Sequence, residues 1–376
     1  MQNYKNEVVE YLDNIKSNGY NAIENLINEL KQTKYVCLFG IGMVCDPIVE
    51  CIRKYTDVDI DFLCDNDPAK WGKNFFGDLI CLSPKELTSY KDDISIIITT
   101  QHYDSVFDQL YLLGFKKFYV LTEYNLINND YLKKSDNIDI IKANILNVLD
   151  ILADDTSRKV LVTVLKSYEN FEKHNVKFNS IRSDDQYYAD IIELTNNEVL
   201  VDGGSYDGDS ILDFLTRVNG FQSIFSFELD SDNFSKLEKT INKLNDNVKS
   251  KIILYNLGLY DQEKIINLDS GGKANARVNI STSGERIAKV VRMSDVLKDK
   301  DITFIKMDIE GAELNALQGA EQLIKKNRPK LAICVYHRIP HLWEIPFYLK
   351  SIVPEYKIYF RHHTSMGYET VCYAVL

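Results

Sequence analysis

The chain is predicted to be an α/β protein: a C-terminal parallel sheet closed by an antiparallel hairpin, preceded by a smaller Rossmann-like α/β domain and a helical connector. Three observations predict it. Short apolar runs at 199–201, 223–227, 251–255, 304–307 and 330–335 alternate with helical patterns, the rhythm of a parallel sheet with right-handed crossovers. The last two apolar runs, 356–363 and 370–375, flank a turn-rich stretch containing Gly367, which reads as a hairpin. A separate set of strand-like runs at 35–42, 60–68 and 94–99 is complete before residue 125. At 376 residues the chain exceeds one average domain. The expected divisions are 1–125, 126–185 and 186–376.

The elements follow in order. Val8, Val9, Leu12, Ile15, Ile23, Leu26, Ile27 and Leu30 form an apolar stripe at helical spacing, so residues 1–33 are a helix or a helix pair. The 35–42 run ends in Gly40 and Gly42, and the 60–68 run ends in the acidic turn around Asp65 and Asp67. Strand, glycines and acid are the parts of a nucleotide site, but Cys45 stands where the third glycine of the dinucleotide fingerprint belongs. The segment from Cys64 to Leu87 resembles the nucleotide-sugar-type Rossmann domains found beside sugar-modifying enzymes. That resemblance implies either a positioning or dimerising role, with a homodimer as its consequence, or a small bound ligand. Residues 126–180 are rich in Asn, Asp and Lys, yet Ile138, Ile141, Ile145, Val148, Leu149, Val160, Leu161, Val164 and Leu165 recur at helical spacing and predict helices. Residues 183–186 are expected to cap a further helix carrying Tyr187 and Tyr188.

The most informative stretch is 198–208, a buried strand that ends in Asp202 and opens into Gly203, Gly204, Ser205, Tyr206, Asp207 and Gly208. A helix over 209–215 and a second strand ending at Glu228 complete a βαβ unit, with the acid about twenty residues on, where a ribose diol binds. Dinucleotide sites space their glycines so that a pyrophosphate sits on a helix N-terminus. Here an acid comes first and the last glycine lies four residues beyond Gly204. S-Adenosylmethionine carries an ammonium and a sulfonium and no phosphate. Asp202 is placed to attract the ammonium, and Asp207 adds negative charge that repels a pyrophosphate. The alternative is an ordinary βα loop with glycines for turn geometry.

A second strand-to-acid turn, Lys306-Met307-Asp308-Ile309-Glu310-Gly311-Ala312-Glu313, narrows the choice. This block, the 202–208 loop, the Phe227-Glu228 strand end and the closing 369–374 strand together resemble the FkbM family of methyltransferases. The resemblance covers about the last half of the chain, from residue 186 onward. It implies a class I methyltransferase sheet, whose antiparallel closing strand separates it from an NAD-type Rossmann sheet. It also implies S-adenosylmethionine as cofactor and a sugar-containing acceptor, glycan or nucleotide sugar, methylated on a hydroxyl or an amine.

Ligands of such sheets bind beyond the carboxyl ends of the strands, which places Asp202, Glu228, the Asn256-Leu257-Gly258 turn, Asp308 and His337 around one crevice. Glu228 is expected to accept both ribose hydroxyls, with Leu229 and Leu257 on the faces of the adenine. Methyl transfer needs an aligned acceptor and removal of its proton. His337, just beyond the 333–336 run, is the expected general base, the alternative being a hydrogen-bonded structural histidine. Asp308 and Glu310 can orient it, take a proton, or hold a divalent ion; helix capping by acids is the plain alternative. The sequence alone establishes no metal. His341, Arg361, His362 and His363 are expected at the substrate mouth, with Arg361 suited to an acceptor phosphate or carboxylate. The 270–285 loop, with Lys273, Arg277 and the adjoining Arg286, reads either as an acceptor lid or as a solvated loop.

A net charge of -11 disfavours a nucleic-acid partner, because phosphate binding needs a basic face. The first residues lack the apolar core of a signal peptide and no run reaches membrane-spanning length, so a cytoplasmic location is expected. The seven cysteines lack metal-type pairing and are read as reduced core residues. Two rival functions remain: an NAD-dependent sugar-nucleotide oxidoreductase using the first domain, and a non-catalytic nucleotide-binding module. Cys45 counts against the first, and the acids around Asp308 against the second.

Overall fold

The computed structural model describes residues 1–42, 45–100, 102–168, 171, 178–268 and 286–376. They divide into two compact units. The first holds 1–149, 158–182 and 364–368; the second holds 150–157, 183–363 and 369–376.

In the first unit, the apolar stripe becomes two helices, Gln2–Asn18 and Ala22–Lys31, broken at Gly19, whose φ of 78° ends a helix without steric cost. The sheet comprises β1 (Tyr35–Phe39), β2 (Phe62–Cys64), β3 (Asn74–Phe75), β4 (Leu79–Leu82), β5 (Ile94–Ile98) and β6 (Phe118–Val120). Its order is β3-β4-β2-β1-β5-β6, with every pairing parallel except β3 to β4. The second strand is shorter than the 60–68 run because Asp67 caps a 3-10 turn at Pro68–Lys70. The acid expected to face a nucleotide is taken up internally. Asp65 accepts the N–H groups of Ile41 at 2.7 Å and Asp67 at 2.8 Å, and lies 2.8 Å from Lys70 Nζ. Cys45 is fully buried, and burial pushes its thiol up to about 12. Residues 126–166 are largely helical, in Asn129–Lys133, Ser135–Ile151 and Asp155–Lys166, as their periodicity predicts.

The second unit is built on β7 (Val199–Gly203), β8 (Ser223–Phe227), β9 (Ile252–Tyr255), β10 (Gly258–Leu259), β11 (Lys264–Leu268), β12 (Arg286–Val291), β13 (Phe304–Met307), β14 (Lys330–Cys334), β15 (Lys357–His362) and β16 (Thr370–Val375). The main sheet runs β15-β16-β14-β13-β7-β8-β9. Only β16 is reversed, pairing antiparallel with both β14 and β15. Phe227, Phe304, Ile305, Leu331 and Phe360 are among its fully buried side chains. The order places β7 and β13 side by side at the centre, Asp202 opposite Lys306 in register, so the two acid-bearing turns leave the sheet next to each other.

Two features depart from the sequence reading. A small sheet, β10-β12-β11, was not expected: its strands are short and alternate charged with apolar residues, leaving Ile265 71% and Ile287 73% exposed. The expected helix at Tyr187 and Tyr188 is absent. Tyr187 has φ 64°, a conformation no helix accommodates, and its N–H donates to Tyr373 Oη at 3.1 Å, so a tertiary anchor outweighs the local capping signal. Among the described residues no helix is long and apolar enough to cross a membrane.

Candidate active site

The 202–208 loop is shaped by its glycines. Gly204 has φ 77°, and a Cβ there would lie 1.8 Å from the Asp308 carbonyl oxygen. Only a glycine lets the β7 and β13 turns approach this closely. Gly203 continues the contact, its carbonyl accepting the Asp308 N–H at 2.9 Å. Gly208, at φ 93°, is the N-cap of the helix Asp209–Arg217. Ser205 Oγ donates to the Asp202 carbonyl at 3.0 Å and accepts from Ser226 Oγ at 2.7 Å, tying the loop to β8.

Asp202 is 1% exposed. One oxygen accepts Ser210 Oγ at 2.7 Å, and the other lies 2.9 Å from Lys306 Nζ. The charge expected to meet the cofactor's ammonium has a partner inside the protein, Lys306. Lys306 in turn donates to the Gly204 carbonyl at 2.6 Å and stands over the Tyr187 ring, 4.9 Å from its centroid. Burial opposes its charge, yet Asp202 and Asp308 outweigh burial and hold it above the ordinary lysine value. The pair is therefore an ionic rivet that joins β7 to β13 beneath the loop.

Glu228, 7% exposed, takes the Tyr206 N–H on Oε2 and the Asp230 N–H on Oε1, each at 2.8 Å. Burial pushes its carboxyl up to about 7, against those backbone bonds. Each carboxylate oxygen retains a lone pair, so a diol remains within its capacity. Tyr206, at φ 47°, turns its N–H toward this acid, while Asp207 lies half-buried beside it. Asn256 Nδ2 donates to the Glu228 and Leu229 carbonyls at 2.9 and 3.2 Å. Gly258 lets Leu229 approach, since a Cβ there would meet Leu229 Cδ1 at 2.9 Å. Leu229 and Leu257 are half-buried, which leaves part of each apolar surface for an adenine.

Asp308, Glu310 and His337 converge. Asp308 accepts Tyr187 Oη at 2.7 Å on one oxygen and Tyr336 Oη at 3.2 Å on the other. His337 Nε2 lies 3.4 Å from Asp308 Oδ1 and 3.6 Å from Glu310 Oε2. Its Nδ1 lies 2.9 Å from Glu313 Oε1. Glu313 is fully buried and also takes the Ile309 and Gly311 N–H groups at 3.0 and 3.3 Å. The His337 side chain is 2% exposed. Burial disfavours its cation, but Glu313, Glu310 and Asp308 outweigh burial and raise its pKa to about 10. The three surrounding carboxylates favour the charged form of His337, which does not accept a proton.

Glu369 closes the cluster at the start of β16. Its Oε1 accepts Tyr336 Oη at 3.3 Å and its other oxygen accepts Gln186 Nε2. Burial, then the charge of Asp308, push it up to about 8. Both shifts carry the same sign for stability. The folded state holds extra protons on Glu369 between its ordinary value and about 8, and on His337 between 6.5 and about 10. Stability therefore falls as pH rises through these windows. Thermal unfolding followed from pH 6.5 to 10 is expected to show a declining Tm, with a shallower decline in His337→Gln.

The other expected mouth residues each have partners within the second unit. Arg361 lies 2.7 Å from Asp154 and donates to Ser157 at 3.2 Å. His362 Nδ1 is 2.9 Å from Thr370 Oγ1. His363 bridges the Ser183 carbonyl and Tyr373 Oη at 2.9 and 2.8 Å. His341 lies behind the cluster, 3.3 Å from Glu313 Oε2. The 270–285 loop lies outside the described residues. Sequence reasoning missed Glu313, Tyr187, Tyr336 and Glu369 as site residues. Glu313 stood within the distinctive 306–313 block and was the one acid there given no role.

Residues 202–368 match the family described as Methyltransferase FkbM domain. Among solved structures, methyltransferase FkbM from Methylobacillus flagellatus KT is 22% identical, with 99% of each chain covered and a TM-score of 0.75, a likeness of fold over the whole length. An rRNA methylase from Streptococcus thermophilus is 12% identical, covering 48% of this chain and 87% of its own, with a TM-score of 0.30. No curated protein matches the sequence. The glycine loop, Glu228 and the 306–313 turn lie in the segment that matches the FkbM methyltransferase domain, and the chain is an S-adenosylmethionine-dependent methyltransferase.

Proposed function

We propose that the enzyme methylates a hydroxyl of an uncharged sugar-containing acceptor. The observation that carries this reading is the wall beside the cofactor loop: Asp308, Glu310 and Glu369 with the Tyr187 and Tyr336 hydroxyls. Carboxylates and phenols suit a polyol, whose hydroxyls both donate and accept, and they repel an anionic acceptor. The arginine that would have suited an anion is neutralised by Asp154.

In this reading the acceptor O–H gives its proton to the Asp308 and Glu369 pair, which Tyr336 bridges. The oxygen lone pair attacks the methyl carbon of S-adenosylmethionine. The carbon–sulfur bond breaks, sulfur keeps the electron pair, and S-adenosylhomocysteine leaves. A sugar hydroxyl holds its proton tightly, and the Asp308 carboxylate, held by the Tyr187 and Tyr336 hydroxyls, is the group placed to take it. His337 serves as a fixed cation that orients Asp308 and Glu310. The test offers isotopically labelled S-adenosylmethionine with neutral glycosides, amino sugars and sugar phosphates. Label is expected in the neutral glycosides as a base-stable ether. Label confined to amines or to phosphorylated sugars sinks the reading.

A further inference from the structure

We infer that Glu313 is a positioning residue for methyl transfer: it fixes the His337 imidazole and the 309–311 turn to one another, so that Asp308 and Glu310 meet a cation held in one place. Glu313 is fully buried, so it cannot touch an acceptor and must act through its neighbours. One oxygen, Oε1, takes the Ile309 and Gly311 N–H groups at 3.0 and 3.3 Å and lies 2.9 Å from His337 Nδ1. These two amides bracket Glu310, whose φ is 56°, and Gly311 follows at φ 96°. A left-handed turn at a non-glycine residue persists only where its surroundings hold it. Because a single oxygen serves both the turn and the ring, neither shifts without the other. The opposite ring nitrogen, Nε2, is thereby aimed at Asp308 Oδ1, 3.4 Å away, and at Glu310 Oε2, 3.6 Å away.

Charge separates this role from that of a plain turn cap. A glutamine oxygen would accept the same two amides, so the turn itself has no need of a carboxylate. A carboxylate removed from water is costly unless a charge pairs with it. The groups set against Glu313 are imidazoles: His337 at Oε1, and His341, whose Nδ1 lies 3.3 Å from Oε2. Around His337 stand Asp308 and Glu310 from the turn after β13, Glu313 from the helix Glu313–Gly319, and Glu369 from the residue before β16. The Tyr336 ring lies against the imidazole, 4.0 Å between centroids. Lys306 is committed to Asp202 and Gly204, so the cation that faces the Asp308 and Glu310 carboxylates is His337. A buried acid behind one ring nitrogen sets both the orientation and the protonation of a working imidazole. The consequence for turnover rests on the reading above, in which Asp308 takes the acceptor's proton; the Glu313–His337 pairing does not.

The test is nitrogen NMR of the full chain labelled in its histidine rings, which reads the protonation of each ring nitrogen, with His337 and His341 assigned by their glutamine variants. In the parent at about pH 8, both His337 nitrogens are expected to carry protons, the Nδ1 proton shifted downfield by its bond to a carboxylate. Glu313→Gln keeps the shape and removes the charge, so His337 is expected to titrate at least about one pH unit lower. With whichever acceptor of the panel above takes label from the parent, kcat is expected to fall roughly 10²-fold, the cost of misplacing a reacting group by about an ångström, while S-adenosylmethionine affinity is unchanged. A His337 that is neutral in the parent at about pH 8, or whose Nδ1 carries no proton, overturns the inference even if Glu313→Gln fails to fold. So does an unchanged His337 titration in Glu313→Gln, full turnover in that variant, or a loss of turnover matched by a loss of S-adenosylmethionine binding. Label found only in amino sugars or sugar phosphates sinks the hydroxyl reading alone, and the ring titration still decides the role of Glu313.

Discussion

Replacing Asp308 with Asn is expected to lower kcat by roughly 10²–10⁴-fold, the range for loss of a general acid–base group, while S-adenosylmethionine affinity changes by less than about tenfold. The expectation follows from position. Asp308 leaves the sheet at the end of β13, receives two tyrosine hydroxyls and faces His337, whereas the ribose-position acid Glu228 lies at the end of β8 with the Tyr206 and Asp230 amides. Asn keeps the volume but has a single side-chain acceptor, so the substitution removes the charge and one of the two tyrosine contacts with little change of shape. Steady-state kinetics paired with calorimetry separates the two effects. A drop confined to cofactor affinity, with kcat unchanged, would place Asp308 in binding and remove it from proton transfer.

The second large effect is on folding. Lys306→Met is expected to destabilise the chain by roughly 3–5 kcal/mol, the cost of leaving one partner of a buried ion pair uncompensated. The side chains of Lys306 and Asp202 are 4% and 1% exposed. Without the ammonium, the Asp202 carboxylate keeps Ser210 but loses its counter-charge, and the Gly204 carbonyl loses a 2.6 Å donor. Adding Asp202→Asn to the same protein is expected to restore part of the loss, because the stranded charge goes with it. Denaturant unfolding of the two variants checks this. A single variant as stable as the parent would show that the pair contributes nothing to the fold. For the same reason Asp202→Ala is a poor probe of cofactor contact, since its effect on binding is entangled with its effect on the loop.

The sheet was legible because its strands are apolar runs bounded by glycines and acids, and strand order follows once the reversed final strand is recognised. Strand-end positions therefore put Asp202, Glu228, Asp308 and His337 at or just beyond the carboxyl ends of β7, β8, β13 and β14. What the sequence could not supply was pairing. Asp202 reads the same whether it meets a ligand or Lys306, because the lysine arrives on a neighbouring strand. Arg361 looked like an anion receptor until Asp154, from a helical stretch far away in sequence, was found beside it. His337 has the ordinary titration range of a base until Glu310, Glu313 and Asp308 are placed around it. The missed helix at Tyr187 has the same origin: a local cap is worth about 1 kcal/mol, and a buried phenol network overrides it. The small sheet was missed because strands of two to six residues with alternating charge give a weak periodic signal.

The central claim is that the 202–208 loop and Glu228 hold S-adenosylmethionine. Calorimetric titration of the full chain with S-adenosylmethionine, repeated on Glu228→Ala and followed by NAD, tests it most directly. The account expects one cofactor per chain, affinity reduced at least about tenfold by the substitution, and no heat from NAD. Binding of NAD in place of S-adenosylmethionine, or S-adenosylmethionine affinity indifferent to Glu228→Ala, would contradict it.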